Sequence, residues 1–109
     1  MSHSARFVIV WRYRVRAGSE ARFIKAYGPD GDWATLFSKV AGFLGTRLSR
    51  DTEDAASFVT LDFWESEEAF EIFRSQCSSE YSRLDKEMEA LTEAEERLGS
   101  FRTAKEYGA

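Results

Sequence analysis

Residues 58–73 constrain the fold more than any other part of the chain, because a strand pattern passes into a helix pattern with almost no loop between them. Phe58-Val59-Thr60-Leu61-Asp62-Phe63-Trp64 is β-branched and aromatic. Alternation puts Phe58, Thr60, Asp62 and Trp64 on one face and Val59, Leu61 and Phe63 on the other, and both faces read as largely buried. Ser66 then stands where a side-chain oxygen accepts from an orphan helix N–H, and Glu67 and Glu68 set negative charge against the positive end of the helix dipole. Ala69, Phe70 and Phe73 follow at helical spacing, so this helix folds back onto the sheet through that side. An indole, Trp64, therefore ends a strand where a helix begins, and this junction is the place to look for a ligand.

The remaining elements follow from the same two periodicities. Phe7 to Arg16 alternates Phe7, Ile9, Trp11, Tyr13 and Val15 against Val8, Val10, Arg12, Arg14 and Arg16, a strand whose second face turns from apolar to cationic. Gly18-Ser19-Glu20 opens a helix with Phe23, Ile24 and Tyr27 on one stripe. Gly28-Pro29-Asp30-Gly31-Asp32 breaks it, and Asp32 is placed to cap a short second piece bearing Trp33, Leu36 and Phe37. Phe43 to Arg50 reads as the second strand, with a bulge or a close backbone contact expected at Gly45. Residues 51–56 form the polar turn into the third strand. After the helix that begins at Ser66, Ser78-Ser79 marks a kink, and Tyr81, Leu84, Met88 and Leu91 continue an apolar stripe. Thr92-Glu93-Ala94-Glu95 has capping-box spacing for a single turn, leaving a short last strand around Leu98, Ser100 and Arg102.

The order strand, helix, strand, strand, helix, strand predicts an α+β, ferredoxin-like fold with a four-stranded antiparallel sheet. Residues 6–103 make the single domain, 1–5 a disordered start and 104–109 a tail. Helices cover one face of such a sheet, so Val8, Val10, Val59, Leu61 and Phe63 on the other require a partner, and a two-fold homodimer through the sheet face is the economical one. Nine Phe, four Tyr and three Trp in 109 residues are more aromatic surface than a core this size needs, which points to a cavity or an interface. A formal charge of −4 with no cationic run argues against nucleic acid. No stretch has the apolar length of a membrane span, and the start lacks a signal-peptide core, so no membrane is expected as partner. Cys77 is the sole cysteine; it allows no intrachain disulfide, reads as an inert thiol and fits a cytoplasmic protein. His3, the sole histidine, lies on the unanchored start, and no metal-ligand spacing, phosphate loop or catalytic triad is present.

Three segments together resemble the antibiotic biosynthesis monooxygenase (ABM) domain family: Val15-Arg16-Ala17-Gly18-Ser19-Glu20, Gly42-Phe43-Leu44-Gly45-Thr46, and Asp62-Phe63-Trp64-Glu65-Ser66-Glu67-Glu68-Ala69-Phe70. The resemblance covers residues 6–103. It implies a dimeric α/β barrel with a pocket between sheet and helices. Some members oxidise polycyclic aromatic compounds with molecular oxygen and no flavin, haem or metal, and others degrade haem. It carries a pocket role onto Trp64, and more loosely onto Trp11 and Tyr13. Two departures matter. Thr60 stands where some catalytic members have asparagine four positions before the tryptophan. Haem-degrading members use an asparagine on the first strand and a histidine on the helix after the tryptophan; here Trp11 lies near the first position and no histidine follows His3, which disfavours haem.

The predicted site follows. Trp64, Asp62 and Tyr13 are the candidate catalytic residues, and Trp11, Phe37, Thr60, Phe70 and Phe73 the candidate substrate enclosure, for a small hydrophobic or aromatic molecule and with no cofactor. Asp62 admits two readings. It is a base of raised pKa that takes a phenolic proton, or, more ordinarily, a cross-strand partner of a first-strand arginine or of Arg47. Trp64 likewise lines a pocket or simply fills an aromatic core. The functional readings are a cofactor-independent monooxygenase of an aromatic or quinol-like substrate, and a non-catalytic binding or assembly module of the same fold.

Overall fold

The computed structural model describes residues 6–105; the expectations for residues 1–5, His3 among them, and for 106–109 lie outside the described residues. The elements run β1 (Phe7–Val15), α1 (Glu20–Tyr27), α2 (Asp32–Phe37), β2 (Phe43–Arg50), β3 (Ser57–Trp64), α3 (Glu67–Gln76), α4 (Ser78–Met88), a single helical turn at Glu89–Leu91, and β4 (Thr92–Arg102). The four strands form one sheet in the order β2-β3-β1-β4, antiparallel throughout. This is the ferredoxin-like arrangement, with the two central strands not consecutive in sequence.

Pairing of β1 with β3 sets Val8 opposite Phe63, Val10 opposite Leu61 and Trp11 opposite Thr60. The faces read from alternation therefore hold. Phe7, Ile9, Tyr13, Val15, Phe58, Thr60 and Trp64 are buried against the helices. Ser66 caps α3 as its position implies, its Oγ accepting from the Ala69 N–H at 3.1 Å. The turn before β3's partner is fixed by a glycine. Gly42 has φ +102°, and a Cβ there would lie 2.6 Å from the Ala69 Cβ, so only glycine lets β2 leave beneath the start of α3.

Four local expectations are corrected. Asp32 does not cap α2: Gly31 takes the N-cap position, and Asp32 is the first helical residue, 3.8 Å from the Arg22 guanidinium. The reason is space, since a Cβ on residue 31 would lie 2.4 Å from the Lys25 and Ala26 carbonyl oxygens, so α2 starts hard against the end of α1. Ile24 is not in the core; it is 40% exposed while Phe23 and Tyr27 are buried. Thr92 to Glu95 starts no helical turn but is the first part of β4, and β4 is an eleven-residue strand rather than a short one. It reaches that length by following β1 from Phe7 to Val15 with two slips, between Val10 and Trp11 and between Arg14 and Val15.

The core is a run of aromatic rings in two groups. At one end Phe23 stacks on Tyr27 at 4.1 Å, with Tyr13 and Phe58 against Phe23 at 5.4 and 5.1 Å. At the other, Trp64 meets Phe37, Phe43, Phe70 and Phe73 at 5.2–5.6 Å. Trp33 joins them, 6.0 Å from Tyr27 and 5.9 Å from Phe37. Each fully buried ring contributes about 2–3 kcal/mol by leaving water. Flat, rigid rings leave gaps where two such groups meet, and the gaps here lie under the middle of the sheet.

Among the described residues no helix covers the far face of the sheet. Val8, Val10, Val59, Leu61 and Phe63 are only half-buried there. Phe101, opposite Val8, is 53% exposed.

Candidate functional site

Two hollows, each of about 40 Å³, lie between the sheet and helices α2 to α4. They share Trp11, Phe37, Asp62 and Tyr81 as walls. The first extends under Tyr13 and Thr60 towards Tyr27 and Trp33 and has Asp85 and Glu95 on its margin. The second is closed by Ile9, Trp64 and Phe70 and has Arg74 and Arg97 on its margin.

Strand alternation delivers these side chains. Trp11 and Tyr13 on β1, and Thr60, Asp62 and Trp64 on β3, face the helices in adjoining rows because Trp11 pairs with Thr60 and Tyr13 with Phe58. The structure thus brings together seven of the eight predicted site residues. Tyr13 and Thr60 line the first hollow, Trp64 and Phe70 the second, and Trp11, Phe37 and Asp62 both. Phe73 lines neither; it is fully buried behind Trp64, 5.4 Å from that ring and 5.1 Å from Phe37.

Asp62 is the unusual group. No ion pair to its carboxyl is found among the described residues, which corrects the expectation of an arginine partner. The Thr46 hydroxyl donates to Asp62 Oδ1 at 2.8 Å instead. Burial raises the carboxyl pKa from 3.8 to about 6, and the Thr46 hydrogen bond only partly offsets this. The first-strand arginines are engaged elsewhere: Arg12 donates to Ser57 Oγ at 2.8 Å and lies 3.5 Å from Asp51, and Arg14 pairs with Asp54 at 2.7 Å. Arg47 faces the other side of the sheet, 5.9 Å from the Phe63 ring centre.

Around Asp62 the polar groups converge without satisfying one another. Trp64 Nε1 is buried and makes no hydrogen bond, while Thr60 Oγ1 and Trp33 Nε1, buried without a well-aligned partner, have the Tyr13 and Tyr27 phenols respectively as their polar neighbours. Each such group costs about 1–3 kcal/mol while it stays unpaired. Burial raises the phenol pKa values of Tyr13, Tyr27 and Tyr81, so each stays protonated at neutral pH with its O–H able to donate. Glu95 is also raised, first by partial burial and then by the charges of Asp85 and Glu89.

Sequence reasoning placed Tyr27 and Tyr81 in packing stripes, and they are both packed and present at the hollow. Thr46, Trp33, Arg74 and Arg97 were not singled out for the site. Thr46 was legible in part, since Gly45 was expected to disturb the register that decides what stands opposite Asp62.

In chemical terms the site joins one carboxyl that titrates near neutrality, three phenolic donors and an indole N–H beside faces of aromatic rings. That set can hold a flat, oxygen-bearing ring and take a proton from it.

The sequence profile of the antibiotic biosynthesis monooxygenase family matches residues 6–78. Among solved structures, a variant of SnoaB, a cofactor-independent oxygenase from Streptomyces nogalater, superposes with a TM-score of 0.79 at 21% identity, covering 97% of this chain and 100% of that one. PA3566 from Pseudomonas aeruginosa superposes at 0.62 with 17% identity, over 98% and 100% of the two chains. SO0527 from Shewanella oneidensis does so at 0.66 with 14% identity, over 92% of each. Comparison with curated protein sequences gives no significant match. At these identities the superpositions carry the fold alone, whereas the profile runs from β1 through α3 over more than half of the chain, and on that ground the chain belongs to the antibiotic biosynthesis monooxygenase family.

Proposed function

We propose that this chain is a cofactor-independent monooxygenase of a small aromatic, quinol-like or anthrone-like compound, acting as a cytoplasmic homodimer. The observation that carries the reading is Asp62, a carboxyl without an ion-pair partner among the described residues, whose pKa of about 6 suits a base at neutral pH. Ionised, it takes the acidic proton of the substrate, and the resulting electron-rich anion reduces molecular oxygen directly. For an anthrone-like carbon, one oxygen atom ends as the new carbonyl and the other leaves as water with the two hydrogens of that carbon. Tyr13 and the Trp64 indole N–H supply hydrogen bonds to the substrate oxygen, and Trp11, Phe37 and Phe70 hold the ring. SnoaB is itself described as a cofactor-independent oxygenase, which agrees with this reading.

Size sets a condition. A benzene-sized guest needs a cavity on the order of 150 Å³, more than either hollow of about 40 Å³. Merged, the two would still fall short, so binding requires Trp11 and Tyr81, half-buried walls common to both, to swing outward and give up the space that their own rings occupy. The same small volume favours the second reading, a non-catalytic module whose interior is filled by its own rings. Oxygen uptake with a panel of hydroquinones and anthrones separates the two. The first reading expects turnover that Asp62→Asn lowers at least a hundredfold and Trp64→Phe lowers less. No acceleration by the parent across the panel leaves the second.

The homodimer rests on the uncovered sheet face, where Val10 and Leu61 sit side by side on the two central strands.

A further inference from the structure

The two ends of the cleft differ in charge. Around the first hollow the carboxyl side chains are Asp62, Asp85 and Glu95, with no lysine or arginine among its lining residues. Around the second, Arg74 and Arg97 join Asp62. Several basic side chains are held by a carboxylate, Arg14 by Asp54, Arg102 by Glu67 and Lys39 by Glu80; Arg16, Arg47, Arg50 and Arg83 are not, among the described residues, so what sets Arg74 and Arg97 apart is their place on the wall of the hollow beside Trp64. Arg74 and Arg97 have no carboxylate partner among the described residues. Arg74 lies in the last turn of α3, with its guanidinium 4.4 Å from the Tyr81 ring centre; the helix end and the ring account for its position but leave its hydrogen-bond donors free. Arg97 comes from β4, directly opposite Trp11, and has no hydrogen-bond acceptor among the described residues. Two elements distant in sequence thus bring unpaired guanidinium groups to one margin of an apolar hollow that ends at Trp64.

We infer that this margin is an anion subsite, and that the molecule bound in the cleft carries a carboxylate seated between Arg74 and Arg97 while its ring lies against Trp11, Phe37 and Trp64. The planar fork of guanidinium matches a carboxylate in geometry as well as charge. The acidic margin enforces the orientation, because a carboxylate entering beside Asp85 and Glu95 meets like charge and no donor cation. The inference rests on the cleft being a substrate site, and it adds the class of substrate: an aromatic acid, bound one way round.

The test uses a matched pair, 1-hydroxy-2-naphthoate and 1-hydroxy-2-naphthamide, titrated calorimetrically at pH 8 into the intact protein. The expected result is that the acid binds about tenfold tighter than the amide. Arg97→Gln and Arg74→Gln each narrow that ratio, and the double variant erases it. Both side chains are exposed, so thermal unfolding of each variant is expected to match the parent. Added potassium chloride weakens the acid and leaves the amide as it was. Equal affinities for the two compounds, or a preference that survives the double variant, overturn the subsite. If the subsite falls while neutral hydroquinones still draw oxygen uptake, the oxygenase reading stands without it; if neither compound binds and no oxygen is consumed, both fall.

Discussion

Asp62 shows how one residue is set by another's displacement. Continued without interruption from the Phe43–Trp64 pair, β2 would put Gly45 opposite Asp62; instead Leu44 is extra, Gly45 falls opposite Phe63 and Thr46 opposite Asp62. The same slip sends Arg47 to Leu61 and hence to the far face. Strand alternation made the face of Asp62 legible, but its partner was not, because a pairing register depends on a second strand and on where its bulge falls. The consequence for stability has a definite sign. The folded carboxyl titrates at about 6 against 3.8 for the free group, so the fold binds this proton more tightly than the unfolded chain does. Asp62 therefore costs nothing below about pH 4; its cost grows as pH rises through 6 and is complete above that, at about 2–3 kcal/mol. Asp62→Asn should melt higher than the parent at pH 8, with the gain fading to nothing by pH 4, while oxygen uptake is lost. Thr46→Val, which removes the hydrogen bond that favours the anion, should move the acid limb of the activity profile to higher pH. A gain in stability that does not vary with pH would contradict the assignment.

Among the elements, α3 and β3 were readable because cap, dipole charges and two clean periods agree within residues 58–73. The strand β4 was readable only in its second half, around Leu98, Ser100 and Arg102. Its sequence, Thr92 to Arg102, has charges at Glu93, Glu95, Glu96 and Arg97 and few β-branched residues, the composition of an exposed strand at the sheet's border. Its local preference is weak, and pairing with the strongly patterned β1 decides it. The capping-box spacing at Thr92 is real in the sequence but is outweighed, since the Arg16 N–H donates to Leu91 O at 2.9 Å and draws the chain into the sheet. The junction of β2 with α3 offers a sharp test. Gly42→Ala introduces a methyl 2.6 Å from the Ala69 Cβ at φ +102°, and we expect a loss of about 2–4 kcal/mol in denaturant unfolding. A loss below about 0.5 kcal/mol would show that β2 can withdraw from α3 freely.

For the molecule as a whole, the uncovered sheet face and the aromatic interior were both foreseeable from alternation; the size of the interior space was not, because packing of rings from six elements decides it to within a side chain. The proposed dimer places Val10 and Leu61 at the centre of a contact between two such faces. Leu61→Lys should therefore sediment at the 12.5 kDa mass of one chain where the parent sediments at twice that, with helical content retained; a parent that runs as one chain at micromolar concentration would remove the dimer. The two border strands complete this picture. β2 is interrupted at Leu44 and β4 at Glu93 and Leu98, where each contributes a residue without an opposite number. A stranger adding itself alongside either border would lose step within a few residues, which disfavours endless lateral stacking into fibres, and the proposed pairing would use the broad flat surface instead, a contact that closes after two.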